Sequence, residues 1–486
     1  MLAALALLVV AILVAVTRQR SADHSTPAPS TSPPTAAGPT PTGNSFPTAT
    51  STAIAGGPRG PVRVQGRNLV DASGKPFIWI ADTAWDLPGR LTREQVIRYL
   101  DTRRAQGFTV IQTVGVFRRL DEGGNAYGDK PIQGTVSNLV QTPGNDPADP
   151  TAYDYWDHLD FVIDAAAQRG LTLALWPIWS FNHAGSSITA DNARSYGQFL
   201  AKRYAGRPIV WVMGGDDKVV HTDIWRALSA GIVAGTPGTR PLITYHPAGF
   251  ASSLEALPEA DFHMVQSSHC LRDGHVPLVS TTLQQVGGKP LVDSEPPYEG
   301  HPWCWRPEQG YVTADQARAH QYWAVFAGAF GASYGHHSVW QFADPAKRAG
   351  LAYARGSWTQ ALQAPAARQM RHLGTLLRAR PLEDRIADDT VILSDRRSGW
   401  DQVAGARDGA GRYLMAYLPT PGPIRLDLDR LPGGRVRVSW FNPRTGNVVD
   451  QGVRDKAAAR TLTPPTAGDA GSGSRIDWVV IVDRVS

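Results

Sequence analysis

The chain of 486 residues contains only two cysteines, Cys270 and Cys304, too few for a disulfide framework or for a zinc site built from cysteine alone. It lacks a long block of lysine or arginine, and its 48 Lys and Arg barely exceed its 43 Asp and Glu. We therefore expect no nucleic-acid partner. The His-Glu-x-x-His pattern of zinc enzymes and the calcium loop are also missing. We expect no metal and no other cofactor.

Long apolar runs are scarce as well, apart from one at the start of the chain. Leu2–Val16 is apolar throughout and is followed by Arg18 and Arg20. Such a run is typical of a secretory signal peptide or a short membrane anchor. A preceding basic segment and a small-residue cleavage site are both missing, so both interpretations of residues 1–20 stay open. Either one predicts export to the cell surface or beyond, with a membrane tether if the segment is not cleaved.

Residues 21–57 are nearly all Ser, Thr, Pro, Ala and Gly. This composition offers nothing apolar that could drive collapse, and proline stiffens the chain. We predict a disordered linker that holds the folded part away from a membrane or wall.

From residue 58 to about 380, short apolar runs alternate with amphipathic segments. This order predicts a (β/α)₈ TIM barrel, an α/β fold, rather than a doubly wound sheet, whose glycine-rich phosphate turn is missing after the first strand. The predicted helices are Thr92–Gln106, Tyr155–Arg169, Asn192–Tyr204 and Thr313–Phe330. The predicted strands are Phe77–Ala81, Phe108–Val114, Leu171–Trp176, Ile209–Met213, Leu242–Tyr245, Phe262–Val265, Pro290–Val292 and Ala332–Trp340.

Residues 381–486 show weak helix signals and several short apolar runs between Gly, Pro and Asp turns. This pattern predicts a small C-terminal β-sandwich domain. Its predicted strands are Thr390–Ser394, Tyr413–Leu418, Ile424–Leu428, Val436–Asn442 and Trp478–Asp483.

Barrel enzymes carry their catalytic groups at the carboxyl ends of the strands. Asp216 follows the fourth predicted strand and two glycines, and Glu295 follows the seventh. Carboxylates on strands four and seven would face each other across the barrel mouth, and glycoside hydrolysis needs such a pair. The alternative is that both are surface or ion-paired acids.

Other polar and aromatic side chains at the strand ends suit a ligand that combines hydroxyl groups with apolar ring faces. We predict substrate contacts from Asp82, Trp85, Gln112, Trp176, Asp217, His246, Gln266, Tyr298, Glu299, His336 and Trp340.

Cys270 and Cys304 follow the sixth and seventh predicted strands, which are neighbours in a barrel. Export would permit a disulfide between them. Two independent thiols remain the alternative.

The sequence resembles a known family in separate blocks. Residues 79–113, with the sequence WIADTAWDLPGRLTREQVIRYLDTRRAQGFTVIQT, look like the opening of the apiosidase-like glycoside hydrolases, family 140. IVWVMGGDD, KPLVDSEPPYEG and GASYGHHSVWQF, at residues 209–217, 289–300 and 331–342, look like its later blocks in the same order. The C-terminal region resembles a small β-domain, named for collagen binding, that often follows this catalytic domain.

The resemblance implies a retaining hydrolase that releases apiose, a branched pentose, from plant cell-wall pectin. It assigns the general acid/base to Asp216 and the nucleophile to Glu295, with no cofactor. Because substrates vary within the family, another furanoside or a microbial wall glycan is also open. The alternative from another class is a carbohydrate-binding or wall-associated protein on a barrel that has lost catalysis.

Overall fold

The computed structural model describes residues 62–119, 122–272, 277–346, 353–465 and 476–485. The predicted signal peptide or anchor and the predicted linker lie outside these residues. Among the described helices, none has both the length and the apolarity needed to span a membrane.

Within these residues, eight strands build a TIM-like barrel, so the predicted fold class is confirmed. Six of them form one continuous parallel sheet, and the other two pair in parallel with each other. The barrel strands are β1 (Ile80–Thr83), β2 (Val110–Val116), β3 (Thr172–Ile178), β4 (Ile209–Gly214), β5 (Ile243–His246), β6 (His263–Gln266), β7 (Leu291–Asp293) and β8 (Ala332–Tyr334).

The large sheet has the order β8-β1-β2-β3-β4-β5, and β6 and β7 form the remaining pair. One backbone hydrogen bond closes each seam between the two sheets. Asp261 N donates to Ile243 O at 2.9 Å, and Phe330 N donates to Leu291 O at 2.9 Å.

Helices cover the outside of the barrel. The four helices predicted from the sequence are present within a few residues of their expected ends. Thr92 and Gln95 form a capping box at the first of them, which explains its sharp start. The longer helices are α1 (Arg93–Ala105), α2 (Tyr155–Gln168), α3 (Ala190–Arg203), α4 (Thr222–Gly235), α5 (Pro277–Gln285), α6 (Ala314–Phe326) and α7 (Pro365–Arg378).

The eighth predicted strand, Ala332–Trp340, is wrong beyond Tyr334. Gly335 ends the strand, and the Nδ1 atom of His336 accepts a hydrogen bond from Ser338 N at 3.0 Å. This side-chain cap starts a short helix, His337–Trp340. The apolar residues there continue as a helical turn and not as an extended strand.

Both faces of the barrel wall are apolar. In β2, Val110 and Val114 pack in the interior cluster, whereas Ile111 packs in the cluster under the outer helices. In β3, Trp176 lies inside and Leu175 outside. The two-residue period of a strand therefore decides which side chains line the barrel.

The described part of residues 385–485 is strand-rich. A six-stranded antiparallel sheet has the order β9-β10-β11-β16-β13-β14, and β12 pairs with β15. These strands are β9 (Arg385–Ala387), β10 (Ala404–Asp408), β11 (Tyr413–Leu418), β12 (Ile424–Asp427), β13 (Arg435–Phe441), β14 (Val448–Asp455), β15 (Ala459–Leu462) and β16 (Trp478–Val485).

Strand β16, inside this sheet, is buried on both faces along its first half. Val480 and Val482 pack with the two-stranded sheet, as a β-sandwich requires. Val479 and Ile481 pack in one cluster with barrel residues. The sheet therefore serves both the sandwich core and the contact with the barrel.

A buried ion pair and stacked rings reinforce the contact between barrel and sheet. Arg318 on α6 reaches Asp477 with two bonds of 2.8 and 3.0 Å. Tyr322 and Tyr417 stack with their ring centroids 5.0 Å apart.

One predicted strand of the C-terminal region is wrong. Where Thr390–Ser394 was expected to extend, Asp388 caps a single 3₁₀ turn, Asp389–Val391. Asp388 accepts from Thr390 N at 3.0 Å, and this local bond competes with strand pairing. The sequence analysis also missed four strands, namely β9, β10, β14 and β15.

Candidate active site

Polar groups collect at the carboxyl ends of strands β4 to β7. His246 and Gln266 are the last residues of β5 and β6, and both are buried. Asp216 lies just beyond β4 and Glu295 just beyond β7. The barrel therefore brings together both predicted catalytic carboxylates with two of the predicted substrate-binding residues.

Glu295 is buried and is held by two histidines, one at each oxygen. Its Oε2 atom lies 3.0 Å from His246 Nε2, and its Oε1 atom lies 3.0 Å from His269 Nε2. Burial alone would raise the pKa of Glu295, but the bonds and positive charge of the two histidines outweigh it and lower this pKa to about 2. Glu295 is therefore ionised throughout the neutral range.

Each ring nitrogen of His246 lies near an oxygen atom, Nδ1 in a hydrogen bond and Nε2 at ion-pair distance. Its Nδ1 atom lies 3.0 Å from Ser294 Oγ, and that hydroxyl donates its own proton to Val265 O at 3.0 Å. Its Nε2 atom faces Glu295. Burial would lower the pKa of His246, but Asp216 and Glu295 raise it to about 9. The bond at Nδ1 places a proton there, and the charge of the two carboxylates favours a second proton at Nε2, the imidazolium form.

Asp216 is the more accessible of the two carboxylates, because 40% of its side chain is exposed against 4% for Glu295. Gln266 Nε2 donates to Asp216 Oδ1 at 2.8 Å. Burial, followed by the negative charge of Glu295, raises the pKa of Asp216, although His246 and Gln266 act in the opposite direction. The two carboxyl groups thus have pKa values displaced in opposite directions.

The backbone around Asp216 requires its two glycines. A Cβ atom at Gly214 would stand 2.6 Å from Tyr245 and from His246 O, and one at Gly215 would stand 2.5 Å from the Trp179 ring. Asp216 itself has a positive φ of 51°, which is uncommon for a residue other than glycine. Such backbone is concentrated at functional sites in proteins.

Ligand atoms of Asp216, His246 and Glu295 all lie within 4.8 Å of one another. Two carboxylates and an imidazole could in principle bind a divalent cation. The imidazolium form of His246, however, has no lone pair for a metal at Nε2. The donor set therefore fits an ion-paired catalytic site better than a metal centre, and the expectation that no metal is needed stays a prediction.

An aromatic wall closes one side of the site. The rings of Trp85 and Trp176 lie 4.8 Å apart, and Trp85 and Trp179 lie 5.1 Å apart. All three tryptophans lie within 5.4–5.7 Å of the His246 ring. Trp176 Nε1 is buried without a partner among the described residues. This arrangement offers an apolar surface with one free donor.

Tyr298 lies on the other side of Glu295. Its buried ring is 4.5 Å from the His269 ring, and Gly335 leaves room for it, since a Cβ there would stand 2.3 Å from the tyrosine. Burial, followed by the charge of Glu295, raises the pKa of Tyr298 well above its usual value. Its hydroxyl therefore keeps its proton beside the Glu295 carboxylate.

Three further predicted substrate-binding residues lie near the site, but their side chains form hydrogen bonds within the protein. Gln112 Nε2 donates to Thr83 Oγ1 and to Ser294 O, both at 3.0 Å, across the barrel interior. Asp217 accepts from Ser180 Oγ at 3.1 Å. Trp340 Nε1 donates to a ring nitrogen of its neighbour in the short helix at 3.3 Å.

The other predicted substrate contacts are placed away from the two carboxylates. Asp82 is fully buried on the outer face of β1, where it binds Arg103 at 2.7 Å and Tyr99. Glu299 accepts from Tyr334 Oη at 2.7 Å and from the backbone at the start of α7. His336 caps its short helix. We expect these three residues to support the fold.

The sequence analysis assigned no role to His269 and Ser294. His269 follows the end of β6 by three residues, and Ser294 directly precedes Glu295. Their positions at strand ends were the available signal. Their contacts depend on the closed barrel, which brings β5, β6 and β7 side by side.

A disulfide joins Cys270 to Cys304. His269 directly precedes Cys270, and its carbonyl oxygen accepts from Cys304 N at 3.0 Å. The disulfide and this hydrogen bond therefore connect the loop that carries His269 to the loop after β7.

Two family models match the chain. Residues 64–384 match the family described as "Apiosidase-like, catalytic domain", and residues 386–483 match "Putative collagen-binding domain of a collagenase". No curated protein matches the chain. Because the match to the catalytic domain covers more than half of the chain, the chain belongs to the apiosidase-like family.

Solved structures give the same result. One described as a glycoside hydrolase shares 30% identity with a TM-score of 0.76, covering 87% of this chain and 97% of its own. A glycoside hydrolase family 5 from Bacteroides vulgatus shares 29% identity with a TM-score of 0.76, covering 87% of this chain and 93% of its own. The chain is a glycoside hydrolase, and the non-catalytic alternative loses its support.

Proposed function

We propose that this chain is an exported, retaining glycosidase that releases apiose or another furanoside from a wall glycan, with Glu295 as nucleophile and Asp216 as general acid/base. The observation that carries the proposal is the carboxylate pair itself. Oxygens of Asp216 and Glu295 lie within 4.8 Å of each other. Retaining enzymes hold their two carboxyl groups about 5–5.5 Å apart, whereas inverting enzymes need about 6.5–9.5 Å to admit a water.

The charge states suit the first half of a retaining reaction. Glu295, ionised because of its two histidines, attacks the anomeric carbon, and Asp216 gives its proton to the glycosidic oxygen as the bond to the leaving group breaks. A covalent glycosyl-enzyme and the free leaving group result. The raised pKa of Asp216 keeps the proton available for this step.

The second half follows from the same coupling. Once Glu295 is esterified, it no longer carries the negative charge that helps to raise the pKa of Asp216. Asp216 then ionises more readily and takes a proton from the water that attacks the anomeric carbon. Glu295 leaves as a carboxylate, and the sugar is released with its original anomeric configuration.

The test of the mechanism uses an aryl apiofuranoside and apiose-containing pectin oligosaccharides. We expect the first-formed product to keep the configuration of the substrate, as read by NMR during turnover. Glu295→Gln should lose at least about a thousandfold in kcat, and Asp217→Ala, which changes the acid next to Asp216, serves as the matched control. Inverted product would overturn the retaining mechanism, and an active Glu295→Gln enzyme would overturn the site.

Export is a separate part of the proposal and is supported by the apolar run Leu2–Val16. We expect the protein of the native host in the culture medium or the membrane fraction. N-terminal sequencing of the mature protein distinguishes a cleaved signal peptide from an anchor. Recovery of the full-length chain in the cytosol alone would contradict export.

A further inference from the structure

We propose that Phe181 and Phe250 form the binding site for the leaving sugar, the part of the substrate that departs when its glycosidic oxygen is protonated. The inference rests on the proposed function, because it places this sugar on the Asp216 side of the carboxylate pair. It adds the residues that would bind this sugar, which the proposed function leaves unassigned.

The two phenylalanines differ from the others in the protein by their exposure. Phe181 is 68% exposed and Phe250 is 56% exposed, and no other phenylalanine of the described residues is exposed. A single exposed apolar side chain needs no explanation. The two become informative because both are attached to residues that flank Asp216.

Phe181 is attached on the β4 side. It lies in the short helix Ser180–His183 after β3, and its backbone N donates to Gly215 O at 3.1 Å. Gly215 directly precedes Asp216. The Trp179 ring packs against Gly215, where a Cβ would stand 2.5 Å away. This packing fixes the start of the short helix beside the proposed acid.

Phe250 is attached on the β6 side. Its backbone N donates to Gln266 O at 2.8 Å, and the Gln266 side chain donates to Asp216. Phe250 has a positive φ of 64°, which is a real cost for an aromatic residue. An exposed phenyl ring gains little by itself from such a conformation, so a function for the ring would explain why it is kept.

An unused polar atom lies in the same place. Gln266 Oε1 is buried and has no hydrogen-bond partner among the described residues. A buried acceptor without a partner is costly unless a ligand satisfies it. A hydroxyl of the leaving sugar is the donor that fits.

These groups match the two sides of a sugar ring. The C–H face of the ring packs on phenyl groups, and a hydroxyl at its edge donates to Gln266 Oε1. The position relative to the catalytic pair selects the leaving sugar. Phe181 and Phe250 are hydrogen-bonded through their backbones to Gly215 and Gln266, which flank Asp216, the proposed acid. The neighbours of Glu295 include His246, His269 and Tyr298.

The test compares two substrates with the same apiosyl group, namely an apiose-containing disaccharide and apiosyl fluoride, which has no leaving sugar. The quantity measured is the ratio of kcat/KM on the disaccharide to kcat/KM on the fluoride. We expect Phe181→Ala and Phe250→Ala each to lower this ratio about fivefold to tenfold, and the double variant to lower it further. Tyr127→Ala is the control, because it also removes an exposed aromatic ring. Tyr127 is 46% exposed, but its ring packs against Tyr153 and His158.

Phe250→Gly separates the ring from the backbone, because glycine adopts a positive φ without strain. It should lower the ratio as much as Phe250→Ala does. Ratios equal to that of the wild type in both phenylalanine variants would overturn the inference while leaving the catalytic pair intact. If the wild type hydrolyses neither apiosyl substrate, the release of apiose in the proposed function is overturned, and the inference, which rests on it, fails with it.

Discussion

Two buried carboxylates of the barrel, Asp82 and Glu295, have cationic partners of different kinds. Asp82, just before the end of β1, is fully buried and binds Arg103 at 2.7 Å. Glu295, just past β7, is 3% exposed and is held by His246 and His269 at 3.0 Å each. Both acids lie at strand ends, so position alone does not separate them.

The partners explain the different roles. Burial would lower the pKa of Arg103, but the charge of Asp82 outweighs it and the pKa is raised, so the guanidinium stays charged. Burial raises the pKa of Asp82 against the pull of Arg103. This pair fixes α1 against the barrel wall. Glu295, in contrast, has its pKa lowered to about 2 by its histidine partners, and in the proposed mechanism it forms and loses a covalent bond.

The largest expected effect on activity comes from Asp216, the proposed acid/base that accompanies Glu295. Asp216→Ala should lower kcat/KM on a substrate with a sugar leaving group by about 100-fold to 10,000-fold, because that leaving group needs protonation. The loss should be smaller on a 4-nitrophenyl glycoside. Azide should restore turnover of that glycoside, because it replaces the water that Asp216 would activate. Equal losses on both substrates without azide rescue would show that Asp216 is not the acid/base.

Breaking the structural pair should act on stability instead. Asp82→Asn leaves Arg103 buried without its carboxylate, and we expect a loss of about 3–5 kcal/mol in the free energy of unfolding, measured by urea denaturation. The activity per folded molecule should stay near that of the wild type. A stable but inactive Asp82→Asn enzyme would mean that Asp82 acts in the site after all.

The sequence predicts much of the barrel because its strands are apolar and its helices begin at recognisable caps such as Thr92 and Thr313. It does not tell which way Asp82 points. In a barrel both wall faces are apolar, so the alternation of Ala81 and Asp82 carries no sign of inside or outside. The closed barrel settles it, since Ala81 packs in the interior cluster.

The same limit applies to the C-terminal strands and to the site. β14 is exposed along most of its length, so it lacks the apolar alternation that marks a strand. Asp216 and Glu295 were recognisable as strand-end acids beside glycine and proline. The contacts of Glu295 with His246 and His269 were not recognisable, because they form between residues that follow different strands.

The smallest effect concerns the pH dependence of stability. The folded pKa of His246 is raised from 6.5 to about 9, so its stabilisation is complete below about pH 6.5 and is lost as the pH rises through 9. Glu295 has its pKa lowered from 4.5 to about 2. Its stabilisation is complete above about pH 4.5 and is lost as the pH falls through 2. The ion pair of His246 and Glu295 therefore stabilises the protein most between about pH 4.5 and about pH 6.5.

The pH dependence of stability can be compared directly between the His246–Glu295 pair and the Asp82–Arg103 pair. Between pH 6.5 and 9.5, the stability advantage of the wild type over His246→Gln should shrink by on the order of 2 kcal/mol, as urea denaturation at each pH would show. The advantage over Asp82→Asn should change less, since the raised pKa of Arg103 keeps its guanidinium charged throughout this range. A flat difference for His246→Gln would mean that His246 is neutral in the folded protein. Glu295 would then need another source for its low pKa, and the contrast between the two carboxylates would no longer rest on the charge of their partners.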